Sequence, residues 1–242
     1  MNQSYHKYTA ADHVMWRRLF ERQMAQLPPI ASRAYLEGME KVGFGADHIP
    51  DFEAETNPRL RALTGWSVEV VPGLIPQRDF FELMARRRFP ASTWLRAPEQ
   101  LDYLEEPDMF HDTFGHVPLL TNQAFCDFMS DLSRVALRFI DQPEAIVQIG
   151  RLYWYTVEFG LIREEGQTKI YGGGILSSAG ESAYCLSDAV PKFPFDVRTV
   201  LNTFYHIDRY QDRYFVIDSY EQLYRSVPDI EEILAETHLI SG

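Results

Sequence analysis

The stretch EEPDMFHDTFGHVPLL, residues 105–120, sets His111 and His116 five residues apart, with Gly115 and Pro118 around the second. Five residues along an α-helix turn through roughly 500°, about 140° away from the starting face. Two histidines on an undisturbed helix at that spacing point apart, and the zinc helix motif uses a spacing of four for this reason. His111 and His116 therefore converge on one ion only if the helix ends between them, and Gly115 and Pro118 supply the break. Asp108, which follows Pro107, is the expected N-cap of the short helix that carries His111.

A catalytic metal needs a third ligand. Glu158, in RLYWYTVEFG (151–160), sits between Val157 and Phe159 in an otherwise apolar and aromatic segment. A buried carboxylate there must be paired, hydrogen-bonded or metal-bound. Two histidines and one carboxylate with open positions form the ligand set of non-heme iron(II) oxygenases, and zinc accepts the same three. Spacing by itself does not establish the site. A histidine pair also serves helix capping or core hydrogen bonding, and Glu158 could equally pair with Arg151 or Arg163.

The rest of the chain narrows the class. It has 242 residues, enough for one large domain, and is 45% hydrophobic and 14% aromatic, enough for a sizeable ring-lined core. The net charge of −12 argues against a nucleic-acid or anionic-membrane surface, which would need clustered Lys and Arg. Cys126 and Cys185 are too few for a disulfide framework and read as reduced core thiols of a cytoplasmic protein. The N-terminus has no basic segment followed by an apolar run, and no stretch approaches the ~20 apolar residues of a membrane span.

Helical periodicity dominates, so the expected fold is mainly α: one domain over residues 1–242, made of packed helices with a few short β-strands. Thr9 caps a helix through Met15, Leu19 and Met24 that stops at Pro28-Pro29. A second runs from Ile30 to Val42 and ends at Gly43. WSVEVVPGLI (66–75) reads as a strand entering a loop at Pro72-Gly73. QRDFFELMARRRF (77–89) reads as a helix with a basic end. The clearest helix is 121–140, capped by Thr121 or Asn122, with a stripe from Phe125 to Phe139. Pro143 opens another that runs through Leu152 and Tyr153 towards Phe159. KIYGGGILSS (169–178) reads as a strand and glycine turn, YFVIDS (214–219) as a strand, and PDIEEILAET (228–237) as a final helix. No heptad repeat follows.

Three segments carry a resemblance. EPDMFHDTFGHVPLL (106–120), RLYWYTVEFGL (151–161) and YGGGILSSAGESAYCLS (171–187) closely resemble the catalytic domain of the pterin-dependent aromatic amino acid hydroxylases, and the bacterial phenylalanine 4-hydroxylases look closest. The likeness runs in order from about Thr64 to Ser219. The regulatory domain and tetramerisation helix of the animal enzymes have no counterpart, which implies an unregulated monomer.

The resemblance implies iron(II) on His111, His116 and Glu158, and a tetrahydropterin at VPGLIPQRDF (71–80), held by the backbone of Gly73, Leu74 and Ile75 and stacked on Phe80. Asp112 stands near the pterin where many relatives carry Glu. Arg96, positioned by Asp108, takes the substrate carboxylate in two parallel hydrogen bonds. The substrate ring lies against Trp154, Phe110 and Pro107. Ser177 orients the first iron-bound histidine. Leu104 stands where animal relatives have Thr near the substrate. Ile207 matches the position at which tyrosine hydroxylases carry Asp, and Trp154 the position at which tryptophan hydroxylases carry Phe.

The implied reaction is hydroxylation of L-phenylalanine to L-tyrosine with O2 as co-substrate and the reduced pterin taking the second oxygen atom. The alternatives are the same chemistry on tryptophan or at another ring position, a zinc hydrolase, and a non-catalytic amino acid or pterin binder. No nucleic acid or membrane partner is expected.

Overall fold

The computed structural model describes residues 1–101, 104 and 106–238. The first helix, α1, spans Ala10–Met24 and opens with a reciprocal cap: Asp12 N–H donates to Thr9 Oγ1 and Thr9 N–H donates to the Asp12 carboxylate. Helix α2 covers Arg33–Val42 and stops at Gly43, whose φ of +70° suits a residue without Cβ. Its expected start at Ile30 is three residues early. The chain at 30–32 is instead drawn extended: Ile170 N–H donates to Ile30 O and Ser32 N–H donates to Ile170 O, and Ser32 becomes the cap.

Helix α3, Asn57–Leu63, follows a π-helical turn at Phe52–Thr56. Strand β1 (Ser67–Val70), helix α4 (Gln77–Ala85) and strand β2 (Arg88–Ala91) then form a crossover unit whose strands pair in parallel, Ser67 opposite Arg88 and Val70 opposite Ala91. The outer edge of β1 is closed by Asn57, whose side chain accepts from Val68 N–H and donates to Val68 O. Loop 71–76 therefore leaves the carboxyl end of a parallel strand and enters a helix, the place where open α/β units leave a ligand crevice.

The basic end expected for α4 is not part of the helix. Arg86 is its C-cap, Arg87 is left-handed at φ +59°, and Arg88 opens β2. Arg87 bonds Thr64 O and Asp127, and Arg88 bonds Glu69, so these charges join elements instead of facing a helix dipole.

Helix α5 (Gln123–Arg138) carries the main apolar stripe and is capped by Asn122, whose side chain accepts from Phe125 N–H. Helix α6 (Pro143–Tyr153) starts at its proline as expected. Strands β3 (Leu161–Glu164) and β4 (Gln167–Ile170) form a hairpin. The glycine segment after β4 is one turn of helix, α7 (Gly173–Leu176), followed by α8 (Ala179–Tyr184). Then come β5 (Lys192–Pro194), α9 (Val197–Leu201), β6 (Tyr214–Ile217), α10 (Tyr220–Arg225) and α11 (Val227–His238). The larger sheet has the order β4-β3-β6-β5, with β6 parallel to both neighbours.

One hydrophobic cluster runs from Met15 to Leu234. Both cysteines are free and buried in it, and burial pushes the Cys126 thiol up to about 12. Among the described residues no helix is long and apolar enough to cross a membrane.

Two glycines of the 172–174 run let α7 press onto neighbouring segments. A Cβ on Gly173 would overlap the His116 imidazole, and one on Gly172 would overlap the carbonyl oxygen of Glu158. Gly173→Ala should therefore cost about 1–3 kcal/mol as an overpacked site. Urea unfolding checks it. A change within the usual ~0.5 kcal/mol of a surface substitution would mean that α7 can simply lift away.

Candidate active site

The helix carrying His111 does not end before His116. It widens: His111–His116 is a π-helix, and a 3-10 turn, Val117–Thr121, follows at Pro118. Hydrogen bonding from i to i+5 puts residues five apart on the same side, so the α-helical divergence is removed without breaking the chain. Glu158 is the last residue of a second π-helical segment, Trp154–Glu158, which extends α6. All three candidate ligands thus sit in widened helix, and the expected helix break at Gly115 is corrected to a change of helical pitch.

The back of the His111–His116 segment is anchored in the core. Phe110 and Phe114 stack at 4.6 Å, Trp16 meets Phe110 edge-on at 5.5 Å, Phe20 meets Phe114 at 5.3 Å, and the Tyr35 hydroxyl donates to Phe114 O. Asp108 caps the start, its carboxylate accepting from His111 N–H at 3.0 Å.

On the front, His111 Nε2, His116 Nε2 and Glu158 Oε2 form a triangle with edges of 3.3, 3.3 and 3.6 Å. A divalent ion at about 2.1 Å from each ligand needs edges of roughly 3.0–3.4 Å, so the cluster fits one ion. The His116 side chain is buried, whereas those of His111 and Glu158 keep 21% and 14% of their surface exposed. One side of the triangle stays open for other ligands.

The tautomer of His111 follows from hydrogen counting. Ser177 Oγ has a single hydrogen and donates it to Gly173 O at 2.8 Å, so it accepts from His111 Nδ1–H at 2.9 Å. The Nε2 lone pair then faces the triangle, as a metal ligand requires. Burial lowers His111 to about 4, against the opposing pull of Glu158, so this imidazole is neutral near pH 7. Burial alone would raise Glu158, but His116 outweighs it and holds the carboxyl ionised. The alternative ion pairs for Glu158 do not form: Arg151 donates to Leu201 O and Arg163 pairs with Asp218.

Arg96 and Asp108 are 7% and 0% exposed. Asp108 takes Arg96 N–H, Nε–H and Nη2–H as well as His111 N–H. One edge of the guanidinium is thereby spent on Asp108. The opposite edge has only a long 3.5 Å approach to Leu101 O, which leaves it able to take a ligand carboxylate. The guanidinium carbon stands 5.8 Å from the Phe110 ring.

The remaining sequence-derived residues fall in four groups. Asp112 is buried, accepts from Ser92 N–H at 2.7 Å at the exit of β2, and is pushed up to about 7 by burial. Gly73, Leu74 and Ile75 lie on the loop after β1, with Leu74 exposed, and Phe80 meets Tyr153 edge-on at 5.4 Å. Trp154 is sandwiched between Phe159 at 4.7 Å and Tyr205 at 4.4 Å. Leu104 and Pro107 are half-buried on the segment before Asp108.

Ile207 is 75% exposed, so the loop residue brought onto Trp154 is Tyr205 instead. Sequence reasoning missed Tyr205, whose only signal was an aromatic two positions from Ile207 in TFYHIDRY. It also missed Gly172 and Gly173 as spacers against Glu158 and His116, because a glycine run reads simply as a turn.

Comparison with known proteins agrees with this geometry. Residues 3–238 match the family model described as biopterin-dependent aromatic amino acid hydroxylase. A phenylalanine-4-hydroxylase of Ralstonia nicotianae is 50% identical over 225 residues, covering 93% of this chain and 71% of the relative. One of Chromobacterium violaceum is 49% identical, covering 92% of this chain and 75% of that protein. The crystal structure of the Chromobacterium violaceum phenylalanine hydroxylase with oxidised Fe(III) superposes with a TM-score of 0.94 at 45% identity, covering 100% of this chain and 87% of that one. Its structure with iron(III) and 7,8-dihydrobiopterin gives 0.92 at 46% identity, covering 98% and 86%. The chain belongs to the biopterin-dependent aromatic amino acid hydroxylases.

Proposed function

We propose that this protein is an iron- and tetrahydropterin-dependent monooxygenase that hydroxylates L-phenylalanine to L-tyrosine with O2. The observation that carries the reading is the triangle of two imidazole nitrogens and one carboxylate oxygen with an open side, set in a chain of this family. Iron with reduced pterin supplies the activation of O2, one oxygen atom going to the ring and the other to the pterin. The relatives named phenylalanine-4-hydroxylase support the choice of substrate over tryptophan.

The chain's own residues do the holding. His111, His116 and Glu158 bind the metal, and Ser177 keeps His111 turned with Nε2 inward. The backbone of Gly73, Leu74 and Ile75 offers fixed donors and acceptors to the flat pterin, and Phe80 gives it a ring face. Asp112 ties the end of β2 to the ligand segment through Ser92, which holds the pterin loop at a set distance from the metal. Arg96 takes the substrate carboxylate on its free edge. Trp154 and Pro107 take the ring and exclude water, and Phe110, buried behind the ligand segment, backs the site and does not face the ring.

We read the chain as one catalytic domain acting as a cytoplasmic monomer. The single core cluster supports one domain, and sedimentation of the purified protein tests the monomer.

Three outcomes are expected. The purified protein should bind one equivalent of iron(II) and form tyrosine from phenylalanine, tetrahydropterin and O2. His116→Ala should abolish tyrosine formation, and normal turnover in that variant would remove the metal assignment. Arg96 is tested with Arg96→Lys. Truncation to Ala would strand Asp108 as a buried unpaired charge and cost stability as well as binding. Lysine keeps the pair with Asp108 but cannot present a second flat edge. The Michaelis constant for phenylalanine should rise about thirtyfold, the low end of the ~2–5 kcal/mol of a buried charge pair. Phenethylamine, which has no carboxylate, should be nearly indifferent to the change. Equal sensitivity of the two substrates would put Arg96 outside the carboxylate site.

A further inference from the structure

The segment between α9 and β6, residues 202–213, leaves Phe204 76% and Ile207 75% exposed. Tyr205 on Trp154, Tyr210 beside Tyr184 and the Tyr155 hydroxyl donating to Phe204 O hold it at single points, and the rest of its conformation depends on polar bonds within the loop. These converge on Gln211, which is buried at 1% exposure. Its side chain donates from Nε2 to His206 O at 2.7 Å and accepts at Oε1 from His206 N–H at 3.2 Å, closing the loop like a strand pair. Its own N–H donates to Glu181 Oε1 at 3.2 Å, and the Tyr214 hydroxyl donates to the same oxygen.

Glu181 is 5% exposed in α8, and no cation lies within ion-pair distance of it among the described residues. A buried carboxylate without a cation costs stability relative to an apolar side chain of the same size. What it gains is a charged acceptor strong enough to hold two donors on one oxygen. Glu181 lies four residues beyond Ser177, the partner of His111, with α8 beginning between them. One carboxylate thus joins the segment that orients His111 to the loop that lays Tyr205 on Trp154.

We propose that Glu181 and Gln211 are positioning residues that clamp the 204–210 loop, and that the clamp fixes Tyr205 behind Trp154 as the outer wall of the substrate-ring pocket. The proposal rests on Trp154 lining that pocket, as in the function proposed above. A loosened clamp regains backbone freedom over several residues, at roughly 1–2 kcal/mol each in entropy, and the Trp154 ring loses its backing. Phenylalanine binding and ring orientation should suffer, while pterin and iron, held by other segments, should not.

The test compares native protein with Gln211→Ala, Glu181→Leu, Glu181→Gln and Tyr205→Leu. It measures iron content, Michaelis constants for phenylalanine and tetrahydropterin, tyrosine formed per pterin oxidised, and amide hydrogen exchange over 203–210. Gln211→Ala and Glu181→Leu should raise the phenylalanine constant about tenfold, the loss expected for two buried hydrogen bonds. They should also lower the tyrosine yield per pterin and speed exchange over 203–210, with iron content and the pterin constant unchanged. Glu181→Gln, which keeps the accepting oxygen, should restore most of the native behaviour. Tyr205→Leu leaves the buried carboxylate untouched and should raise the phenylalanine constant with exchange near native, which keeps the test open if Glu181→Leu does not fold. Native exchange and a phenylalanine constant within twofold of native in Gln211→Ala would overturn the clamp. So would parallel losses for phenylalanine and pterin, the signature of a merely structural role. A native protein that forms no tyrosine overturns the proposed function and the pocket role with it, whereas native turnover with insensitive variants overturns the clamp alone.

Discussion

The site depends on one backbone constraint, the shift from α- to π-helical hydrogen bonding at His111–His116. In α-geometry the two imidazoles would sit about 140° apart around the axis. With i to i+5 bonding they share a side and bring their Nε2 atoms to 3.3 Å. The same widening ends at Glu158, which meets both histidines at 3.3–3.6 Å. π-Segments are poorly packed helix, and they persist only where surrounding structure over-determines them. Here the support is explicit: Phe110 and Phe114 wedged among Trp16, Phe20 and Tyr35 on one side, and glycine backbone pressed against His116 on the other.

Asp108 carries the electrostatic side of the design. A single carboxylate with no exposed surface caps the ligand segment through His111 N–H and orients Arg96 through three further donors. The position of the metal ligands and the direction of the buried Arg96 guanidinium are therefore set by the same group. Any shift of Asp108 would move the Arg96 guanidinium and the start of the ligand segment together. Ser177 plays the matching part at Nδ1 of His111, where one hydroxyl hydrogen decides which imidazole nitrogen faces the metal.

The walls follow a different rule. The crossover unit of β1, α4 and β2 leaves its loop at the carboxyl end of a parallel strand, a position that frees backbone groups for a flat ligand. Opposite it, Trp154 is held by rings alone, Phe159 on one face and Tyr205 on the other. Apolar stacking tolerates small sliding movements, so the precision of that wall comes from the polar bonds that hold the Tyr205 loop.

Local signals in the sequence determined the helices well. Thr9, Asn122 and Pro143 opened theirs where capping chemistry placed them, the stripe from Phe125 to Phe139 named the buried face of α5, and Asp108 was legible as a cap. The candidate ligands and Arg96 were legible as well, but from the wording of whole segments, because spacing alone left His111, His116 and Glu158 open to ordinary core and ion-pair roles. Tertiary structure decided the rest. It chose π-geometry where a helix break was expected, because packing on both faces of 111–116 outweighs local propensity. It began α2 at Arg33, because bonds to Ile170 pull residues 30–32 into an extended bridge. It cut α4 at Ala85 and spent Arg87 and Arg88 on partners distant in sequence. It also turned Ile207 to solvent and Tyr205 onto Trp154. Each of these depends on contacts between residues tens of positions apart, and no local period or cap motif encodes those distances.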